Sequence, residues 1–180
     1  MISAEYDLRS SKKINKLIRR SRIRYPEAVI EERKNLIITG LTGAGKTYMA
    51  CALGMAAIHQ FMNVYYTSAN MMIMELQKAE RQGTILDELK ELVKFDLIII
   101  DDFGLMNLDL NACRNLFQLI SEREGRNSIM IVSQIPIANW YDLFKEATFA
   151  DSFLDPICHK AYRLEFNRES LRKKIYKNLT

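Results

Sequence analysis

The chain has 180 residues, 48% of them hydrophobic, with three cysteines and a formal net charge of +4. That length and apolar content suit one packed domain and exclude a low-complexity or disordered chain. Cys51, Cys113 and Cys158 show no metal-ligand spacing and fall in apolar, helix-like surroundings, so they read as reduced core thiols. Apolar runs are of strand length, and neither a signal peptide nor a membrane span is visible, so a cytoplasmic protein is expected.

Residues 1–30 form a basic helical segment ahead of a core spanning 31–180. Lys12, Lys13, Lys16, Arg19, Arg20, Arg22 and Arg24 carry no acid among them, while Ile14, Leu17 and Ile18 lie at helical spacing. So dense a run of like charge repels itself unless a polyanion neutralises it, and DNA backbone is the favoured partner. A solvated helix with a narrow docking stripe is the plainer alternative. Tyr25-Pro26 ends the helix, because the residue before proline is pushed away from the helical region.

The apolar run Leu36-Ile37-Ile38-Thr39 leads into Gly40-Leu41-Thr42-Gly43-Ala44-Gly45-Lys46-Thr47, which fits G-x-x-x-x-G-K-[ST]. A strand before and a helix after, opening through Tyr48, give the motif its required context. The glycines let backbone N–H groups turn inward, and the helix start adds its positive dipole end, so the loop cradles a di- or triphosphate. Lys46 would bridge the β- and γ-phosphates of ATP, and the Thr47 hydroxyl would ligate Mg²⁺.

Ala50, Leu53, Gly54, Ala57, Ile58 and Phe61 then predict a long helix packed on a sheet, with His59 at its surface. Asn63–Thr67 reads as a second strand. Thr67 or Ser68 caps the next helix, whose Met71, Met72, Met74 and Leu76 are expected to pack. Gly83 ends it, and Thr84 with Asp87 predicts a capping box opening a helix to about Lys94.

Residues 95–102, Phe-Asp-Leu-Ile-Ile-Ile-Asp-Asp, predict a parallel strand buried on both faces with two carboxylates at its carboxyl end, where open α/β sheets bind ligands. Downstream of a phosphate loop this is a Walker B pattern. Asp101 would hold Mg²⁺ through its water shell and Asp102 would act as general base on the attacking water. Asp109 caps a helix with Cys113, Leu116, Phe117 and Ile120 as its buried stripe, and Gly125 terminates it. Ser128–Val132 forms a fourth strand ending in Ser133-Gln134, where a polar side chain can touch the γ-phosphate or the lytic water. Tyr162–Phe166 alternates as a fifth, more exposed strand, followed by a basic tail.

Taken in order, Gly40–Thr47, residues 97–104, Ser133-Gln134-Ile135-Pro136 with Trp140, residues 150–155 and Glu169-Ser170-Leu171-Arg172-Lys173 resemble the IstB-like ATPases. These assist transposases of insertion sequences and are relatives of DnaC-type helicase loaders. The resemblance implies an α/β P-loop NTPase of the AAA+ (ASCE) type, a five-stranded parallel sheet flanked by helices and preceded by the basic helix. It implies ATP-driven homo-oligomeric assembly on DNA and a partner transposase. By position, Gln134 with Ser133 matches sensor 1, and Arg172 matches the sensor 2 arginine. Two departures stand out. The family's additional N-terminal helical region has no counterpart in this sequence, and its Leu-Asp-Arg pattern, whose arginine acts across a subunit interface, reads Leu154-Asp155-Pro156. The expectation is therefore Mg-ATP binding coupled to DNA, with hydrolysis open. The alternatives are an ATP-switched DNA-binding adaptor with negligible turnover, a DnaC-like loader, or a decayed mobile-element remnant.

Overall fold

A computed structural model describes residues 32–105, 108–159 and 161–166. The basic segment 12–24 and Arg172 lie outside the described residues. Five strands, β1 (Leu36–Gly40), β2 (Val64–Ser68), β3 (Leu97–Phe103), β4 (Ser128–Ser133) and β5 (Tyr162–Phe166), form one sheet in the order β2-β3-β4-β1-β5. Every pairing is parallel. The connections carry α1 (Lys46–Ile58), α2 (Ala69–Gln82), α3 (Ile85–Val93), α4 (Leu110–Arg123) and α5 (Ala147–Cys158), with two short 3₁₀ turns before α5.

Alternation along the strands divides the apolar residues between two layers. Leu36, Ile38, Leu97, Ile99, Met130 and Val132 face α1 through Met49, Ala50, Leu53 and Ala57. Ile37, Ile98, Ile100, Ile129 and Ile131 face the other way, into a layer built from α2 to α5. Because each central strand is covered on both sides, β1, β3 and β4 read as continuous apolar runs. Gly54 sets the distance of α1 from the sheet: a Cβ there would stand 2.8 Å from Ile99 Cδ1.

Strand order matters most for the site. β4 lies between β1 and β3, so its carboxyl end emerges between the phosphate loop and the two aspartates. Ser68 and Asp109 cap α2 and α4 as expected, accepting from the N–H groups of Met71 at 3.3 Å and Ala112 at 2.8 Å.

Several packing expectations are corrected. Phe61 is 98% exposed, because α1 ends at Ile58 and Phe61 sits at φ 63°, where helical periodicity no longer holds. Ile58 is also exposed. Of the four α2 residues expected to pack, Met72 and Leu76 reach the core, whereas Met71 and Met74 lie on the outer face; in α4 Phe117 falls on the exposed rim. Thr84 makes no capping box: its hydroxyl donates back to the Ala79 carbonyl at 3.4 Å. Cys113 is buried, but Cys51 is exposed and Cys158 half-buried; all three are free.

Candidate nucleotide site

The phosphate loop closes β1 onto α1 through three glycines at positive φ, Gly40 at 147°, Gly43 at 78° and Gly45 at 96°. Only glycine is at ease there. At Gly40 a side chain would also collide with Phe166, whose carbonyl oxygen lies 2.6 Å from a Cβ built at that position. Ala44 is buried, Gly45 stands immediately before the first turn of α1, and Leu41, Thr42, Thr47 and Tyr48 are exposed. The Lys46 ammonium donates to the Leu41 carbonyl at 3.1 Å, across the loop. Burial pushes it below the ordinary lysine range, against the opposing pull of Asp101 and Asp102. Both carboxylates therefore act on the same cation.

Consecutive residues of a regular strand point to opposite faces, so the aspartates need a further device to share one site. The device is a bulge. Ile100 pairs with Ile131 and Phe103 with Ser133, leaving Asp101 and Asp102 together opposite Val132. Asp102 adopts φ 56°, a left-handed conformation that aspartate tolerates better than most residues, at a cost of about 1 kcal/mol. Asp101 is 4% exposed and Asp102 is exposed. Asp101 Oδ1 accepts the Asp102 backbone N–H at 2.8 Å, and its Oδ2 accepts the Tyr66 hydroxyl, also at 2.8 Å. Burial, and then this bond to Asp101, push the Tyr66 phenol well above the usual tyrosine range. Burial and Asp101 likewise raise the Cys51 thiol on α1. Tyr66 was not singled out from sequence; one position on an edge strand leaves no motif.

At the end of β4, the predicted pair separates into two roles. Gln134 reaches the loop, where its side-chain carbonyl accepts the Thr42 hydroxyl. The Ser133 hydroxyl is fully buried and committed to the fold: it donates to the Phe103 carbonyl at 2.7 Å and accepts from the Ile135 N–H at 3.0 Å. Trp140, fully buried, donates from Nε1 to the Ile135 carbonyl at 2.9 Å and packs on Phe103 at 4.7 Å between ring centroids. The Ser133–Trp140 pattern thus anchors the chain that presents Gln134. The structure brings Lys46, Thr47, Asp101, Asp102 and Gln134 to the carboxyl ends of adjacent strands.

Pro156 lies in the last turn of α5, at the opposite end of the sheet. Its carbonyl accepts from Asn35 Nδ2 at 3.0 Å. Arg163, nearby in sequence, is exposed, with its guanidinium 3.5 Å from the Cys158 carbonyl.

A family model described as IstB-like ATP binding protein matches residues 3–178. The chain belongs to this family. Among curated relatives of this IstB-like chain, an insertion sequence ATP-binding protein of Sinorhizobium fredii is 38% identical over 144 residues, covering 80% of this chain and 58% of the relative. The insertion sequence IS21 ATP-binding protein of Pseudomonas aeruginosa is 29% identical over 147 residues, covering 82% and 56%. The chain thus spans less than two thirds of the length of these relatives. Two solved structures share the fold at 18% identity. DnaA bound to AMPPCP and single-stranded DNA superposes with a TM-score of 0.67, over 99% of this chain and 52% of that one. The DnaC helicase loader superposes with a TM-score of 0.66 over 93% of both. The fold is therefore the P-loop AAA+ type expected from sequence. No helix among the described residues is long and apolar enough to cross a membrane.

Proposed function

We propose that this IstB-like chain is an ATP-dependent helper of DNA transposition that binds Mg-ATP and DNA, assists a partner transposase and hydrolyses ATP in a homo-oligomer. The observation that carries the reading is the convergence of the phosphate loop, Asp101, Asp102 and Gln134 at the carboxyl ends of the adjacent strands β1, β3 and β4. This residue set fits a metal-bound triphosphate: one cation and a glycine loop at a helix start for phosphate oxygens, a hydroxyl and a buried carboxylate for a hard cation. Thr47 and Asp101 would hold Mg²⁺, which when bound supplies charge neutralisation at the phosphates.

The chain's own residues divide the remaining work. Gly40 to Tyr48 cradle and orient the phosphates, with Lys46 against the β- and γ-oxygens. Asp102, exposed on the bulge, accepts a proton from the attacking water. Gln134 orients that water or the γ-phosphate. Arg172 is proposed to reach the nucleotide from the tail, and Lys12, Lys13, Lys16, Arg19, Arg20, Arg22 and Arg24 to meet DNA phosphates. The insertion-sequence setting of the relatives supports the transposase partner, and the DnaA neighbour bound to a nucleotide analogue and DNA is consistent with joint binding.

Phosphate release with and without duplex DNA tests the reading. DNA-stimulated turnover is expected, lost in Asp102→Asn while ATP binding persists. DNA affinity is expected to fall steeply across a salt series. Pro156 favours one second reading, an ATP-switched adaptor: the position at which the family resemblance places a trans-acting arginine offers no charge and ties its carbonyl to Asn35. Tight ATP binding without turnover at any protein or DNA concentration would establish that reading instead.

A further inference from the structure

Tyr66 occupies a position that packing alone does not explain. It lies on β2, the edge strand, and pairs in register with Ile99, while Ser68 pairs with Asp101. Val64, Tyr66 and Ser68 therefore share the α1 face of the sheet with Leu97, Ile99 and Asp101. From opposite Ile99, the Tyr66 side chain reaches diagonally along the sheet to Asp101. That diagonal separation, about 7–8 Å between backbone positions, suits the length of a tyrosine. Tyr66 is 47% exposed as a whole residue, so the hydroxyl is not simply filling a core space. It is instead placed 2.8 Å from Oδ2 of a carboxylate that is 4% exposed. Phenylalanine would fill the same space and leave that oxygen without the bond.

The other Asp101 oxygen is fixed independently by the Asp102 N–H, the local bond made possible by the bulge. The two donors hold the carboxylate plane at both ends. Each carboxylate oxygen accepts about two hydrogen bonds, so each keeps one acceptor direction for a further partner. Removing the Tyr66 hydroxyl releases one end of the carboxylate and leaves the bond from the Asp102 N–H at the other.

We infer that Tyr66 is a positioning residue for the metal-binding carboxylate: its hydroxyl fixes Asp101 in the orientation that receives the hydrated Mg²⁺ of Mg-ATP. The inference rests on the Mg-ATP reading and adds to it a specific residue outside both the phosphate loop and the Asp101-Asp102 motif. Partners of this kind, bonded to a ligand rather than to the metal, set metal affinity by orienting the ligand.

The test separates nucleotide from metal. A fluorescent ATP analogue is titrated onto wild type and Tyr66→Phe in EDTA, and Mg²⁺ is then titrated at fixed nucleotide. Equal affinity in EDTA and a roughly tenfold higher Mg²⁺ midpoint in Tyr66→Phe are expected, the lower end of the range for outer-sphere partners. In an Asp101→Asn background, the same substitution is expected to leave the midpoint unchanged. An unchanged midpoint in Tyr66→Phe, with wild type responding normally to Mg²⁺, overturns the inference alone. A wild type whose nucleotide binding ignores Mg²⁺ overturns the Mg-ATP reading and the inference with it. Should Tyr66→Phe fail to fold, 3-fluorotyrosine at position 66 of the intact chain supplies the readout. Its ¹⁹F resonance is expected to move when Mg²⁺ is added to the nucleotide complex, and an unmoved resonance overturns the inference.

Discussion

The two ends of the sheet are both rich in polar side chains, and they use them in opposite ways. At the amino end, Asn35, Asp96 and Asn127 stand immediately before β1, β3 and β4. They stitch the backbone. Asn35 bonds Pro156 and the Ile129 N–H, Asp96 Oδ2 accepts the Asn63 N–H at 2.8 Å, and Asn127 donates to the Val93 carbonyl at 2.7 Å. Arg123, fully buried, clamps the Leu92 and Ser128 carbonyls at 2.7 and 2.9 Å. At the carboxyl end, Lys46, Asp101, Asp102 and Gln134 act largely on one another and on a loop, with acceptor and donor capacity left over. A buried polar group whose bonds all go to backbone is a fastener. One that faces other side chains with spare capacity can meet a ligand.

Substitutions should separate the two ends cleanly. The largest effect is expected from Arg123→Ala, which opens a cavity and strips two backbone carbonyls of charged donors. A loss of about 4 kcal/mol is expected from those contributions. Burial already lowers the Arg123 guanidinium to about 10, yet it stays protonated at neutral pH, so the charge-assisted bonds operate there. Denaturant unfolding measures the loss. ATP affinity, measured on the fraction still folded, should stay within twofold of wild type; a large loss of affinity would mean that the two ends are not independent.

Lys46→Ala is the mirror experiment. The lysine is partly desolvated, its bond is to a single loop carbonyl, and it has no carboxylate within ion-pair distance among the described residues. ATP affinity is expected to fall about a hundredfold, equivalent to about 2.7 kcal/mol, while the unfolding midpoint hardly moves. Isothermal titration and thermal melting read the two quantities on one sample. A variant that melted early while keeping its affinity would reverse the assignment of the ends.

This contrast also explains which parts could be read before any coordinates. Strands and phosphate loop were legible because their signals are local: apolar runs, Gly40–Thr47, and the Asp101-Asp102 pair closing an apolar stretch. The strand count came with them, while the parallel AAA+ fold rested on the resemblance to IstB-like ATPases. Packing details failed where periodicity was extended past an element's end, as at Phe61, or credited to a helix face the fold leaves in solvent, as at Met71, Met74 and Phe117. Cys51 failed for the same reason. Ser133 and Gln134 are adjacent polar residues that sequence treats alike; the turn at Ile135 assigns one to the fold and the other to the loop. The bulge at Asp101-Asp102 depends on the pairing with β4, and Tyr66 on the register of β2, so neither carries a local signature. The amino-end asparagines and aspartate do carry one, an Asx residue immediately before an apolar strand.

The smallest predicted effect lies on α1, which runs from the loop at one end of the sheet toward the other. Gly54→Ala should raise helix propensity by about 1 kcal/mol. Its new Cβ, however, meets the buried Ile99 Cδ1 at 2.8 Å, and strain from overpacking of this kind costs about 1–3 kcal/mol. The net expectation is a loss of about 1 kcal/mol. Ile99→Val removes the methyl in the way, so in that background Gly54→Ala should become neutral or stabilising. A double-mutant cycle in denaturant measures the coupling. Because Ile99 stands between Leu97 and Asp101 on the α1 face of β3, nucleotide affinity of the single mutant gives the sharper reading. Affinity lost along with stability would mean that α1 transmits strain from the core to Lys46 and Asp101. Affinity retained would mean that the phosphate loop absorbs the shift, leaving the functional end mechanically separate from the packing beneath it.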